Sequence, residues 1–302
     1  MLRDNHAIGL SLPPGGTTME CVHFQPEQSF SDLFARKPFL FSHNLNGNEL
    51  FSMQSVEKLA EMWSRDAGKS GFFVLDEQIK IWGSEEHKTG MVDAFRNAEI
   101  SRMRMKLSFI HKQPEYEELL RTCTSELTQL TGVDLAGGFR SPLATLFISS
   151  PREFTHFHID SEDNFLLQLA GTKTVYVFDG KDREIIDWPD IENYWFDKNS
   201  RIFREEIKSR GVPYELTPGT GIHIPVHFPH MVANGPTSSM SLSIAYAPPE
   251  AQHHVLRANY HLRKLGLNPA PPGQSKVADT AKSAAVSGAR SLKNKIKRLR
   301  SK

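Results

Sequence analysis

The sequence predicts a mainly β protein, an antiparallel sandwich or barrel flanked by helices. Three observations carry that prediction. Five short apolar runs, each bounded by turn formers, lie between residues 144 and 246: ATLFISS, FLLQL, KTVYVF, GIHIP and SLSIAY. Runs of this length suit strands and are too short for most helices. Helical periodicity is concentrated in segments before and after them. Finally, 302 residues with 39% hydrophobic content can build the core of one large domain or two modest ones. That content also excludes a mostly disordered chain.

The elements follow in order. Pro38 to Phe41 reads as a strand. Ser52 to Trp63 reads as a helix, because Val56, Leu59, Ala60 and Trp63 recur at helical spacing and Ser52 or Ser55 can cap it. Gly71–Leu75 and Ile79–Trp82 read as strands around a polar turn, and Gly90–Arg104 as a helix. Pro114 opens a further helix with Leu119, Leu120, Cys123, Leu127 and Leu130 on one face, and Gly132 ends it. The texture turns to β after about Asp134. Ala170-Gly171-Thr172 is the expected hairpin turn between two strands. Residues 179–214 form a charged, aromatic insertion with a helix near Phe203–Arg210. Glu250–Leu265 reads as a helix, and Asn268–Ser275 as a proline-rich linker. The expected division is an N-terminal α/β region over 1–134, a β core over 135–250, a helix over 251–267, and a linker and basic tail over 268–302.

Two segments carry chemistry. In Thr155-His-Phe-His-Ile-Asp160, His158 and Asp160 are two apart, so on a strand both project to one face and could chelate one ion. In Gly219-Thr-Gly-Ile-His-Ile-Pro-Val-His-Phe-Pro-His230, a strand ends at Pro225 and the loop beyond delivers His230. Two histidines and one carboxylate on one face of a metal form the triad of non-haem Fe(II) oxygenases. Taken alone, His158 and Asp160 fit a polar pair at a strand end equally well.

From about Thr145 to Pro249 the sequence resembles the JmjC family of cupin-type 2-oxoglutarate oxygenases. The likeness is to its small bacterial cupin-like members and its asparaginyl-hydroxylase branch. It rests on Thr155 three before His158, Asn164 six after it, Gly171-Thr-Lys173, the turn at Pro218-Gly219, Ile224-Pro225 and the distal His230. A weaker likeness continues through KPFLFSHNL and VEKLAEMW. The resemblance implies a double-stranded β-helix (jelly-roll, cupin) core with flanking helices. It implies Fe(II) held by His158, Asp160 and His230, with 2-oxoglutarate as co-substrate and O2 as oxidant. Lys173 would pair with the far carboxylate of 2-oxoglutarate, Thr155 would donate to the same carboxylate, and Asn164 would bond near the metal end. It further implies hydroxylation of a C–H bond on a protein or peptide side chain, or on a small biosynthetic molecule.

The sequence departs from the family where His156 stands in place of a usual proline and Thr220 in place of a frequent acid. His156 creates the first half of the ordinary cupin motif, which binds metal through three histidines and a glutamate, here His156, His158, Glu162 and His230, without 2-oxoglutarate. Against it, Leu169 and His227 occupy positions where that motif expects glycine, and Lys173 has no role in it. A third reading is a barrel without catalysis, acting through the basic tail.

The formal net charge of +1 is a cancellation. Residues 276–302 hold nine basic residues and one acid, a net +8, while the remaining 27 basic and 34 acidic residues leave −7. An acidic body makes nucleic acid a poor substrate at the iron site. In the tail, Ala285, Ala289, Leu292, Ile296 and Leu299 follow helical spacing among lysines and arginines, the pattern of a helix that meets an anionic partner. The expectation for this segment is a solvated terminus with at most weak anionic contacts. No run reaches the ~18 apolar residues of a membrane span. The mixed N-terminus does not read as a secretory signal, and Cys21 and Cys123 form no metal pair, so a reduced cytoplasmic setting is expected. Oligomeric state is left open, a homodimer included.

Overall fold

The apolar runs become strands of two antiparallel sheets. A computed structural model of the chain describes residues 22–23, 29–65, 71–75, 78–81, 97–99, 102–137, 142–194 and 205–300. These residues form thirteen strands: β1 (Val22–His23), β2 (Phe39–His43), β3 (Gly71–Leu75), β4 (Gln78–Ile81), β5 (Met103–Ser108), β6 (Leu143–Ser149), β7 (Phe154–His158), β8 (Asp163–Ala170), β9 (Lys173–Val177), β10 (Val212–Leu216), β11 (Thr220–Ile224), β12 (His230–Asn234) and β13 (Ser239–Tyr246). The larger sheet has the order β1-β2-β11-β8-β13-β6-β5-β3-β4, and the smaller β10-β9-β12-β7. From β6 to β13 the chain passes back and forth between the sheets and turns back on itself at β9 and β10. This is a double-stranded β-helix, the jelly roll of cupins, with helices on its outside.

Period-two alternation sorts the side chains of the large sheet. Ala144, Leu146, Ile148, Phe165, Leu167, Leu242, Ile244 and Tyr246 face outward into one apolar cluster with Phe30, Phe41, Val56 and Leu127. Phe165 sits at its centre, stacked on Phe34 with ring centroids 5.9 Å apart and edge-on to Tyr246 at 6.1 Å. Helices Met53–Arg65 and Pro114–Thr131 belong to this layer. The first begins after Ser52, whose hydroxyl accepts the Ser55 N–H at 3.3 Å. The second has Pro114 in its first turn and ends at Gly132, whose φ of +69° suits a residue without Cβ. The inner face of the same strands carries Leu166, Ile222 and Ile224, which meet Val175, Val177, Leu216 and Phe228 across the barrel.

Four expectations change. The turn at Gly171 is not a hairpin, because β8 pairs with β11 and β13 while β9 pairs with β10 and β12. It carries the chain from one sheet to the other. A Cβ at Gly171, where φ is +66°, would meet the Ser238 carbonyl oxygen at 2.1 Å. The helix expected over 90–104 does not reach its C-terminal end: residues 97–99 form a turn, and Met103 and Arg104 open β5. There Met103, Met105 and Leu107 are buried while Arg104, Lys106 and Ser108 turn the other way, a period of two. Residues 90–96 lie outside the described residues, as do Cys21, Trp82, Trp195, Phe196 and Phe203. The helix near 203–210 is a 3-10 turn over Glu205–Arg210. The tail is not a loose terminus: Lys276–Arg300 is a helix lying against helix Glu250–Lys264.

That pair of helices is tied to the barrel. Glu192, fully buried in helix Trp188–Tyr194, accepts from Arg263 Nε at 2.6 Å. Arg263 also donates to the Asn268 side chain at 2.9 Å. Asn259 Nδ2 and Lys282 Nζ both reach the Ala270 carbonyl, at 3.1 and 2.9 Å.

Candidate metal centre

The small sheet brings the chemistry-bearing residues together. His158 is the last residue of β7 and His230 the first of β12, and the two stand opposite each other in register. Paired residues of antiparallel strands project to the same face. Asp160 lies two residues beyond β7. His158, Asp160 and His230 each offer a ligand atom, and these atoms lie within 4.8 Å of one another. The imidazole centroids are 4.1 Å apart, and His230 Nε2 is 3.6 Å from Asp160 Oδ2.

Each imidazole is oriented by its own strand. His158 Nδ1 donates to the His156 carbonyl at 2.7 Å, and His230 Nδ1 to the Phe228 carbonyl at 3.0 Å. A carbonyl accepts only, so Nδ1 carries a proton in both rings and Nε2 is the nitrogen left to face a metal. Burial, with His230 alongside, holds His158 down at about 4, so it is neutral at physiological pH. Burial alone would raise the Asp160 carboxyl. His230, His158, Lys106 and the Asn164 amide outweigh it and leave Asp160 below its usual value, ionised. Two imidazoles and one carboxylate are a donor set that suits Fe(II), and the orientation of the Nε2 atoms fits such an ion.

The outer residues of the site hold that carboxylate. Asn164 Nδ2 donates to Asp160 Oδ2 at 3.4 Å, and Asn164 Oδ1 accepts from Ser243 on β13 at 2.8 Å. The loops on both sides are cross-bonded: the His227 N–H donates to the Asp160 carbonyl at 3.1 Å, and the Val226 N–H to the Asp163 carboxylate at 3.0 Å. His227 adopts a φ of +64°, a conformation that glycine would reach without strain.

Thr155 reaches the same interior by an irregularity. It stands opposite Val232, while His158 stands opposite His230, so two residues of β7 face Met231 alone. Three residues of regular strand would put Thr155 and His158 on opposite faces. The bulge puts them on one. Phe157, within the bulge, points outward and packs with Phe178, Ile185 and Met231.

Lys173 opens β9, in line with Val175 and Val177, and stands opposite Asn234 of β12. It is 5% exposed. No ion pair or hydrogen bond reaches its ammonium from the described residues, and burial lowers it to about 7. Asn234 Oδ1 is also buried without a partner. A 180° turn of that amide would present its NH2 instead. A buried amine without an anionic partner, beside an unsatisfied amide inside a barrel, suits the carboxylate of an anionic ligand.

His156 and Glu162 lie outside the three-residue cluster. His156 is exposed, edge-on to Phe154 at 5.4 Å, and Glu162 accepts from Ser161 at 2.6 Å. His223 faces away from the barrel interior: its Nδ1 donates to the Asn164 carbonyl, its Nε2 accepts the Ala35 N–H, and burial lowers it to about 3. His254 is half-buried against helix 276–300, with Ser287 Oγ 3.0 Å from its Nδ1.

Several residues of the site escaped the sequence reading. Ser239, Ser241 and Ser243 face the interior at every second position of β13, and Ser241 and Ser239 hold the Gln168 amide at 2.7 and 3.1 Å. The signal was present in SMSLS: small polar residues at period two leave room inside a barrel. Lys106 of β5 acts electrostatically on His158 and Asp160. Tyr194, whose hydroxyl is raised by burial and by Asp160 and Glu162, ends a helix packed on Ile159. Lys106 had no signal in the sequence, because it arrives from a distant segment; Tyr194 belongs to the charged, aromatic insertion over 179–214.

No family model matches the chain, and no curated protein matches it. Solved structures do. An X-ray structure of ycfD from Escherichia coli is 14% identical, with a TM-score of 0.47 over 83% of this chain. The chain spans 62% of that protein's length. YcfD described as a ribosomal oxygenase, in complex with cobalt and 2-oxoglutarate, is 16% identical, with a TM-score of 0.47 over 87% of this chain and 67% of its own. The DMSP lyase DddQ from Ruegeria pomeroyi DSS-3 is 14% identical, with a TM-score of 0.23 over 35% of this chain and 38% of its own.

Proposed function

We propose that the chain is an Fe(II)- and 2-oxoglutarate-dependent oxygenase that hydroxylates a C–H bond. The substrate class that the family resemblance suggests is a protein or peptide side chain, with a small biosynthetic molecule as the second choice. The observation that carries this reading is the pairing of two features in one barrel. One is the His158, Asp160 and His230 cluster. The other is the uncompensated ammonium of Lys173, four residues along the same strand face from the position opposite His230. Four residues of strand span ~13 Å, which leaves room for a short dicarboxylate between the two.

In this reading His158, Asp160 and His230 hold Fe(II), which supplies the oxidising chemistry with O2 while 2-oxoglutarate is converted to succinate and carbon dioxide. The chain's own residues do the rest. The carbonyls of His156 and Phe228 keep both Nε2 atoms aimed inward. Ser243 and Asn164 keep the Asp160 carboxylate in place. Lys173 neutralises the far carboxylate, helped by the Thr155 hydroxyl. Leu166, Val175, Ile222 and Ile224 exclude water from the co-substrate's methylene chain. The ordinary cupin site would need His156 and Glu162, and neither lies with the cluster.

Anaerobic titration with Fe(II) and 2-oxoglutarate tests the proposal. A charge-transfer absorption band, and succinate on admission of O2, are expected from the native chain and from neither His158→Ala nor His230→Ala. A native chain that gives neither signal overturns it. So does metal binding that survives Asp160→Ala and fails in Glu162→Ala, since the ordinary cupin site would then be in use.

A further inference from the structure

Among the described residues, the C-terminal helix presents an exposed side from Val277 to Ala289. Its packed side is clear: Ala278, Asp279, Lys282, Ser283 and Val286 are half-buried. Ser287 lies against His254, and Arg290 donates to Glu250, the first residue of helix 250–264. The helix continues to residue 300, so its last ten residues run on past the start of its neighbour.

The opposite side carries an apolar line. Val277 is 83% exposed, and Ala281, Ala284, Ala285 and Ala289 are exposed too. In the sequence, positions 292, 296 and 299 recur at the same helical spacing, and they are Leu, Ile and Leu. Lys293, Lys295, Lys297, Arg298, Arg300 and Lys302 stand among them in the sequence, with no acid after Asp279.

We propose that this helix lies on an anionic lipid surface, with its apolar line at the boundary between headgroups and acyl chains and its basic flanks on the phosphates. The choice of occupant follows from using both features at once. A nucleic acid would use the charge and leave the apolar line in water. A second copy would cover the apolar line and press two +8 tails together. An anionic bilayer satisfies the apolar line and the cations together, and each basic residue near such a surface raises affinity about fivefold. The body, at −7, is repelled by the same surface, so contact is confined to the tail.

Vesicle co-sedimentation of the full chain tests this. The probes are vesicles of phosphatidylcholine alone, and of phosphatidylcholine with phosphatidylglycerol at about three to one. Native protein is expected to bind the anionic vesicles at least about tenfold better than the neutral ones. The triple change Leu292→Ser, Ile296→Ser, Leu299→Ser keeps every charge and is expected to lose about tenfold. A chain ending at Arg290, which retains the Glu250 contact, is expected to lose binding altogether while still giving the anaerobic absorption band. Three results overturn the proposal: equal binding by the native chain and the triple variant; no vesicle binding alongside tight binding of a mixed-sequence single-stranded RNA; or a native dimer in sedimentation that the triple variant dissolves.

Discussion

The two faces of the large sheet are made by the same strands and do opposite work. On β8 and β13 the outward residues are Phe165, Leu167, Leu242, Ile244 and Tyr246, packed into the main core. The inward residues on those strands are Asn164, Leu166, Gln168, Ser239, Ser241 and Ser243. The outer face is apolar and filled. The inner face is polar, and it ends at a cluster of metal-ligating groups on one side and an uncompensated lysine on the other. Both faces are buried, so burial does not tell them apart. What separates them is whether the polar groups are satisfied: outside there are few to satisfy, and inside the Lys173 amine and the Asn234 Oδ1 are buried without a hydrogen-bond partner among the described residues.

The sharpest way to break the comparison is to show that the inner face also holds the fold. Asp160→Ala should bring Fe(II) binding below detection by anaerobic absorption while the melting temperature of the metal-free protein stays within a few degrees. Glu162→Ala should keep the metal. On the outer face, Phe165→Ala removes a fully buried ring and should cost about 3–5 kcal/mol in urea unfolding, with the metal site intact in whatever remains folded. An outer change that empties the metal site without loss of stability would refute the division.

Lys173→Met comes next. It should weaken 2-oxoglutarate binding about a hundredfold, measured by calorimetry with Fe(II) absent and then present, and leave the metal-free protein at least as stable as before. The pH dependence sharpens this. Lys173 is lowered to about 7 in the fold and titrates at its usual 10.5 when unfolded. Between those values the unfolded chain binds the extra proton, so stability should rise with pH across that window. Lys173→Met should flatten the rise, and equal slopes would show that the amine is solvated. A bound carboxylate should restore the charge, so binding at pH 8 should take up about one proton, read as a dependence of the calorimetric heat on buffer ionisation enthalpy. The smallest effect belongs to Ser243→Ala, which frees Asn164 and should weaken Fe(II) by about tenfold.

Much of this was legible because it depends on spacing within one strand. The five apolar runs became strands, and His158 and Asp160 lie on one side because they are two apart. What was illegible depends on partners. The three-residue gap from Thr155 to His158 has the wrong parity for one face, and only pairing with β12 shows the bulge that corrects it. His223 reads as an ordinary packed histidine, and only the pairing of its strand with β8 through Phe165 shows that it packs in the outer aromatic cluster. β5 carries helix-compatible residues at its start, and its identity as a strand comes from pairing with β6 and β3. In the tail, helical spacing found the apolar stripe but not which side the neighbouring helix would cover.

The buried Glu192 and Arg263 pair makes the two C-terminal helices a bracket rather than a leash. Helix 250–264 is clamped to helix 188–194, and that helix rests on Ile159, between the first two members of the metal cluster. The contacts from the tail to the metal cluster run in series through helix 250–264, helix 188–194 and Ile159. Arg263→Ala, which strands a buried carboxylate, would cut that bracket and turn a fixed platform into a swivel.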